Sequence, residues 1–345
     1  MRLSHRAAVL AAVLTLGAAG NGQAQAPAAA APAQTAALQI IRVISFSGVS
    51  TVPLRVAAAQ GTFARYGLDV VTEFTPNSMV LREGLAAGKY DVAHAAVDNA
   101  VAMAETDHAD VVILMGSDDS MTELIVQPAI GSVADLRGKT VAVDAPNTAY
   151  ALQLRKILLM NGLTAGTDYT MKTVGGTPQR LQAMIQDKEN AAAMLNPPFS
   201  IQAKAAGLKS LGSAAKLIGP YQGVGAFVLH PWAKDHRDTL VKYLAAYVEA
   251  LRWFLAPANK AQAIAFLTAD LKLSPDVAAE AYARAVAAPG GLVPDARLDI
   301  AGLANVLKLR AEIERQWKGI PPPPERYYDL SYHDAALARL AGRSR

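Results

Sequence analysis

Residues 84–98, Gly-Leu-Ala-Ala-Gly-Lys-Tyr-Asp-Val-Ala-His-Ala-Ala-Val-Asp, constrain the fold more than any other stretch of this chain. A short apolar helix ends at Gly88. Within two residues a buried strand opens on Tyr90-Asp91, and it runs straight into a polar turn, Asp98-Asn99, that starts another helix. Such a strand-to-helix turn presents backbone N–H groups to a ligand. The same alternation fills 38–127. Strands are expected over 39–44, 68–74, 90–96, 110–115 and 123–126, with helices over 53–63 and 78–87 and from Asp98. Strands separated by helices through short connections imply a largely parallel sheet covered by helices.

A second α/β set follows. Leu136-Arg137-Gly138-Lys139 leads into a strand over 140–143, and Asn147 is a good N-cap for a helix carrying Tyr150, Leu154, Ile157 and Leu158 on one side. Asn161-Gly162 ends that helix. Strands over 170–174 and 191–195 and helices over 178–186 and 199–206 complete the unit, and a strand over 223–229 returns the chain to the first. After Pro231 the pattern is helical only, over 237–255, 260–269, 275–287 and 298–317. The four prolines of 320–325 predict an extended stretch on the surface, and 320–345 is expected to be a C-terminal tail.

The N-terminus reads as an export signal. Arg2, His5 and Arg6 precede an apolar run over 7–19, too short to span a bilayer. Small residues favour cleavage after Ala24, which makes 1–24 a signal peptide and 25–37 an Ala/Pro-rich spacer. Of 33 basic side chains Arg2 and Arg6 fall in that signal, leaving 31 against 29 acidic ones. A near-balanced mature chain offers no electrostatic case for nucleic acid. The absence of cysteine removes disulfides, thiolate nucleophiles and Cys-based metal sites together. The six histidines form no H-x-H or H-x-x-x-H pair, so no metal site is expected.

Several segments, in order, resemble the nitrate/sulfonate/taurine/thiamine-pyrimidine-precursor group of periplasmic solute-binding proteins of ABC importers. They are Pro53-Leu54-Arg55-Val56-Ala57 with Gly61-x-Phe63-x-x-x-Gly67-Leu68-x-Val70; Leu85 to Ala93; Asp135-Leu136-Arg137-Gly138-Lys139-x-Val141-x-Val143; and Pro198-Phe199 with Ala203-x-x-x-Gly207. The chain departs from the group's pattern at Asp187-Lys188-Glu189-Asn190-Ala191, at Pro197 in place of a glutamate, and at His94 in place of an apolar residue. The resemblance implies a two-lobed α/β fold of the type II periplasmic-binding-protein kind. Each lobe would be a mostly parallel sheet flanked by helices, with a helical C-terminal region. Lobe 1 would comprise 38–127 and 225–319 and lobe 2 128–224, with crossings near 126–129 and 220–224. A small-molecule ligand would lie between the lobes, with no cofactor. The partners would be an ABC permease and its ATPase subunit, met as a monomer at the periplasmic face of the membrane.

At the strand ends facing that cleft stand Ser45, Phe46, Ser47 and Ser50 after the first strand, Asn77 and Ser78 after the second, and Asp98 and Asn99 after the third. The second unit offers Asn147 and Thr148 at a helix start and Asn196 after a strand, and the returning crossing offers Tyr221 and Gln222. Capping accounts for Asp98 as well as ligand contact does. His94 sits inside a short strand and reads as a buried, hydrogen-bonded histidine. No arginine or lysine stands at these strand ends, which argues against a small inorganic anion. Phe46, Tyr150, Phe199 and Tyr221 are available to stack on a planar ring. The expected function is therefore capture of a small organic solute (a sulfonate, carboxylate or heterocycle), with no catalysis. An enzyme on the same scaffold, acting on a small aromatic or pyrimidine-like substrate, is the alternative. The related enzymes use cysteines that this chain lacks.

Overall fold

A computed structural model describes residues 37–343; the expected signal peptide and the spacer up to residue 36 lie outside the described residues. The chain begins with β1 (Gln39–Ser45), α1 (Val52–Ala59), α2 (Thr62–Arg65), β2 (Leu68–Phe74), α3 (Ser78–Ala86), β3 (Val92–Ala96), α4 (Asp98–Glu105) and β4 (Val111–Gly116). The single helix expected over 53–63 breaks at Gly61, whose φ of 63° suits glycine and interrupts the helical run. The chain then leaves this sheet through 117–122. It builds β5 (Glu123–Val126), β6 (Thr140–Val143), α5 (Ala149–Met160), β7 (Thr170–Thr173), α6 (Thr177–Gln186), β8 (Asn190–Leu195), α7 (Phe199–Ala205), β9 (Lys209–Ser213) and α8 (Ala214–Ile218). It returns through 219–223 into β10 (Val224–Leu229).

The two sheets have the same plan. Their strand orders are β2-β1-β3-β10-β4 and β7-β6-β8-β5-β9. In each, the fourth strand runs antiparallel to its neighbours, and that strand is the one arriving from the other sheet. The two crossings are bonded to each other: Gly223 N–H donates to the Asp118 carbonyl at 3.0 Å, and Asp118 N–H to the Val224 carbonyl at 3.4 Å. Paired connections of this kind let two lobes rotate about a narrow hinge.

The first crossing corrects one assignment. β5 was expected in lobe 1, but it pairs with β8 and β9 and belongs to the second sheet. All four of its residues are buried. Leu124 and Val126 face one apolar cluster of lobe 2, and Ile125 faces the other. A strand buried on both faces reads as a plain apolar run, so its pattern does not say which sheet holds it.

The remaining helices complete lobe 1. They are α9 (His230–Asp235), α10 (Arg237–Leu255), α11 (Lys260–Asp270), α12 (Pro275–Ala285), α13 (Ile300–Ile313) and α14 (Ser331–Arg343). α10 buries Tyr243, Leu244, Tyr247, Leu251 and Phe254 in the core on one side of the first sheet. α13 buries Leu303, Val306 and Leu307 in the core on the other side. α14 corrects the expectation that 320–345 is a tail outside the lobes. Beyond the prolines Tyr332, Ala336 and Leu340 recur every four residues, and all three bury in the α10 core. A stripe at that spacing is one face of a helix, and the proline run hid it from the sequence reading.

Candidate functional site

A cleft lies between the two sheets, at the C-terminal ends of their parallel strands and the first turns of the helices that follow. Ligands bind at this position in open α/β sheets. The space amounts to about 520 Å³ with its open mouth included. Lobe 1 lines it with Phe46, Ser47, Gly48, Ser50 and Thr51 after β1, Ser78 at the start of α3, Ala96 and Asn99 around the start of α4, and Val224. Lobe 2 contributes Asp144 after β6, Thr148, Ala149 and Tyr150 at the start of α5, Gly176, Thr177 and Arg180 at the start of α6, and Asn196 after β8.

The lobes touch across this cleft. Ser78 N–H donates to Asp144 Oδ2 at 3.0 Å. Gly176 N–H donates to the Pro76 carbonyl at 2.8 Å, and Val49 N–H to the Pro197 carbonyl at 3.2 Å. A Cβ at 176 would stand 3.0 Å from the Pro76 oxygen, so any larger residue there would press on this contact. This is the closed arrangement of the two lobes.

Two charged side chains line the cleft. Arg180 is 3% exposed. Its Nε donates to the Met194 carbonyl at 3.3 Å, Nη1 to the Gly175 carbonyl at 2.8 Å and Nη2 to Thr177 Oγ1 at 3.0 Å. The guanidinium also lies 5.5 Å from the Tyr150 ring centroid. Three of its five donors are thereby used, and one N–H on each terminal nitrogen is left over. Burial lowers its pKa, and the nearby Asp144 charge opposes that shift. Asp144 is itself buried, with Oδ2 on Ser78 and Oδ1 without a hydrogen-bond partner. Asn196 Oδ1 is likewise buried and unpartnered. The remaining lining is hydroxyls, one more amide, two aromatic rings and the small or aliphatic residues Gly48, Ala96, Ala149, Gly176 and Val224.

Seven of the residues singled out from sequence line the cleft: Phe46, Ser47, Ser50, Ser78, Asn99, Thr148 and Asn196. The other six form its frame instead. Ser45 donates its hydroxyl to the His94 carbonyl at 3.1 Å, inside the sheet. Asn77 caps α3, its Oδ1 accepting from Val80 N–H at 2.9 Å. Asp98 is not aimed at a ligand; it forms a buried two-pronged ion pair with Arg310 of α13, at 2.5 and 2.8 Å. The Asn147 carbonyl accepts from the same guanidinium at 3.2 Å. Tyr221 is buried in the core beneath α13. Gln222 stitches the hinge, donating to the Asp118 and Val224 carbonyls and accepting from Asp299 N–H. Phe46 and Tyr150 line the cleft, whereas Phe199 packs into a lobe 2 core.

Arg180 corrects the expectation that no cation stands at the site. It lies in the first turn of α6, after the Gly175-Gly176 turn that ends β7. None of the residues singled out from sequence stands at this strand end of lobe 2. The rule that selected 77–78 after the second strand of lobe 1 selects 175–180 here. His94 stays outside the cleft. It is wholly buried, its Nε2 lies 2.8 Å from Tyr243 Oη, and burial pushes its pKa down to about 3.

A putative ABC transporter periplasmic binding protein of Brachyspira hyodysenteriae is 26% identical to this chain over 238 residues, 64% of this chain and 67% of the relative. The periplasmic nitrate-binding protein of Synechocystis PCC 6803 superposes with a TM-score of 0.72 at 15% identity, over 88% of this chain and 89% of its own. The aliphatic sulphonate binding protein of Escherichia coli superposes with a TM-score of 0.64 at 20% identity, over 86% and 91%. Both share with this chain the two-lobed periplasmic-binding-protein fold. The profile of the NMT1-like family matches residues 43–268, well over half of the sequence, and the chain belongs to the NMT1-like family.

Proposed function

We propose that this protein is the periplasmic solute-binding component of an ABC importer. It captures a small organic solute between its lobes and delivers it, chemically unchanged, to a permease driven by an ATPase subunit. The observation that carries this reading is the cleft itself. Polar groups from both lobes converge on one space, beside a hinge of two bonded crossings. Only a ligand that contacts both lobes favours the closed state over the open one. The named relative supports the reading, since it is itself described as a periplasmic binding protein of this transporter class. The character of the lining supports capture over catalysis. Among the described residues it holds no histidine and no cysteine, so an adjacent base of the usual kind for its serines and threonines is missing.

The test is a thermal-shift screen of sulfonates, carboxylates, pyrimidines and amines, followed by mass analysis of the stabilising compound after long incubation. A compound at about 100 times its Kd should stabilise the fold by roughly 2.7 kcal/mol. It should be recovered unaltered. Conversion above a heat-killed control would instead establish the enzyme on this scaffold.

A further inference from the structure

The charge of the cleft wall carries an inference about the solute, one that rests on the binding function proposed above. Among the described lining residues the only charged pair is Asp144 and Arg180, one acid and one base. Both are buried. Arg180 is fixed by three hydrogen bonds on three different nitrogens. Asp144 is fixed through Oδ2 by Ser78 of the opposite lobe. Each keeps unused capacity: two guanidinium N–H groups on one side, the buried and unpartnered Oδ1 on the other. No salt bridge joins them directly, and both side chains line the cleft between the lobes.

We propose that the solute carries no net charge, presenting a hydrogen-bond acceptor to Arg180 and an N–H donor to Asp144. A zwitterion or a neutral amide-like molecule meets this description. A bare anion does not. It would satisfy Arg180 but would bring a second negative charge beside Asp144 in a water-poor cleft, with one cation for two anions. The discrimination against a bare anion of the same skeleton should be roughly 100-fold, the size of shift that one uncompensated charge at a few ångströms produces in a partly buried site.

The experiment divides a bacterial small-molecule extract at pH 7 into anion-exchanger-retained, cation-exchanger-retained and unretained fractions, and reads the melting shift of the full-length mature protein with each. Potassium nitrate and sodium ethanesulfonate serve as defined bare anions. The unretained fraction should stabilise the wild type, and the anionic fraction and the two defined anions should not. Asp144→Asn keeps an acceptor for Ser78 and removes the negative charge. It should lose most of the response to the unretained fraction and gain at least about tenfold in affinity for the defined anions. Stabilisation of the wild type by the anionic fraction alone, or an Asp144→Asn protein that melts normally yet gains no affinity for anions, overturns the inference and leaves the binding function standing. A wild type that responds to none of the fractions overturns both. The wild-type arm decides the matter alone if the variant does not fold.

Discussion

Arg310→Met tests the reading of the frame most sharply. Arg310 and Asp98 are each 1% exposed, and they join α13 to the start of α4 through Nε–Oδ1 at 2.5 Å and Nη2–Oδ2 at 2.8 Å. Burial alone would push the guanidinium pKa down, but the Asp98 charge and its hydrogen bonds outweigh that and raise it. Methionine fills much of the same volume but leaves the Asp98 carboxylate buried with no counter-charge. That costs about 3–5 kcal/mol. The Asn147 carbonyl also loses its donor across the lobes, a further 1 kcal/mol or so at a partly buried site. Removing both charges is a different perturbation. Asp98→Leu with Arg310→Met leaves no buried charge unpaired, only the Asn147 carbonyl without its donor, and replacements of this kind are often neutral or even stabilising. Urea unfolding of the four proteins of this cycle is the assay. The single variant should fall by about 5 kcal/mol, and the double variant should recover most of that loss. A loss under about 1 kcal/mol in Arg310→Met, or a double variant as unstable as the sum of its parts, would refute the argument. If Asp98 instead faced the solute, Asp98→Asn would alter affinity and leave stability nearly intact.

Stability against pH should show two opposing slopes. Burial raises Asp118 to about 6, against hydrogen bonds from Ser50, Ser120 and Val224, so its contribution is fully present below about pH 4 and is lost as pH rises through 6. His94, lowered to about 3, contributes stability above pH 6.5 that is lost as pH falls toward 3. Between about pH 4 and 6 each slope is roughly 1.4 kcal/mol per unit and of opposite sign. Relative to the wild type, Asp118→Asn should therefore become more acid-sensitive and His94→Gln more acid-tolerant, and parallel curves for all three would contradict these assignments. Gly223→Ala should lower the melting temperature markedly, because its Cβ would stand 2.1 Å from Asp118 Oδ1 in the hinge. Asn99→Ala in lobe 1 and Thr148→Ala in lobe 2, both in the cleft lining, should each weaken solute binding by about 1–3 kcal/mol in calorimetry. A surface change such as Lys260→Ala should leave Kd unmoved.

The periodic segments were legible because their information is local. The expected strands at 68–74, 123–126 and 140–143 and the helix at 237–255 coincide with β2, β5, β6 and α10. What failed depended on distant partners or on a punctuation that masked a pattern. The partner of Asp98 lies 212 residues away, so its sequence context shows only a helix start. β5 is apolar on both faces, and pairing with β8 is settled by the path of 117–122, which carries no periodic signal. α14 follows four prolines that read as the end of structure. β9 and α8 lie in a stretch of small and polar residues and were not anticipated. The site was read in part because strand ends are predictable, and its cation was missed because one of those ends, after β7, was passed over.

The most direct test of the account is a crystal structure of the protein incubated with the compound or fraction that raises its melting temperature most. The solute should appear in the cleft, within hydrogen-bond distance of at least one of Ser47, Ser50 or Asn99 in lobe 1 and of Arg180 or Asn196 in lobe 2, with the lobes closed about it. A solute bound to one lobe only, or outside the space between β1 and β6, would contradict the claim that the two lobes together form the binding site.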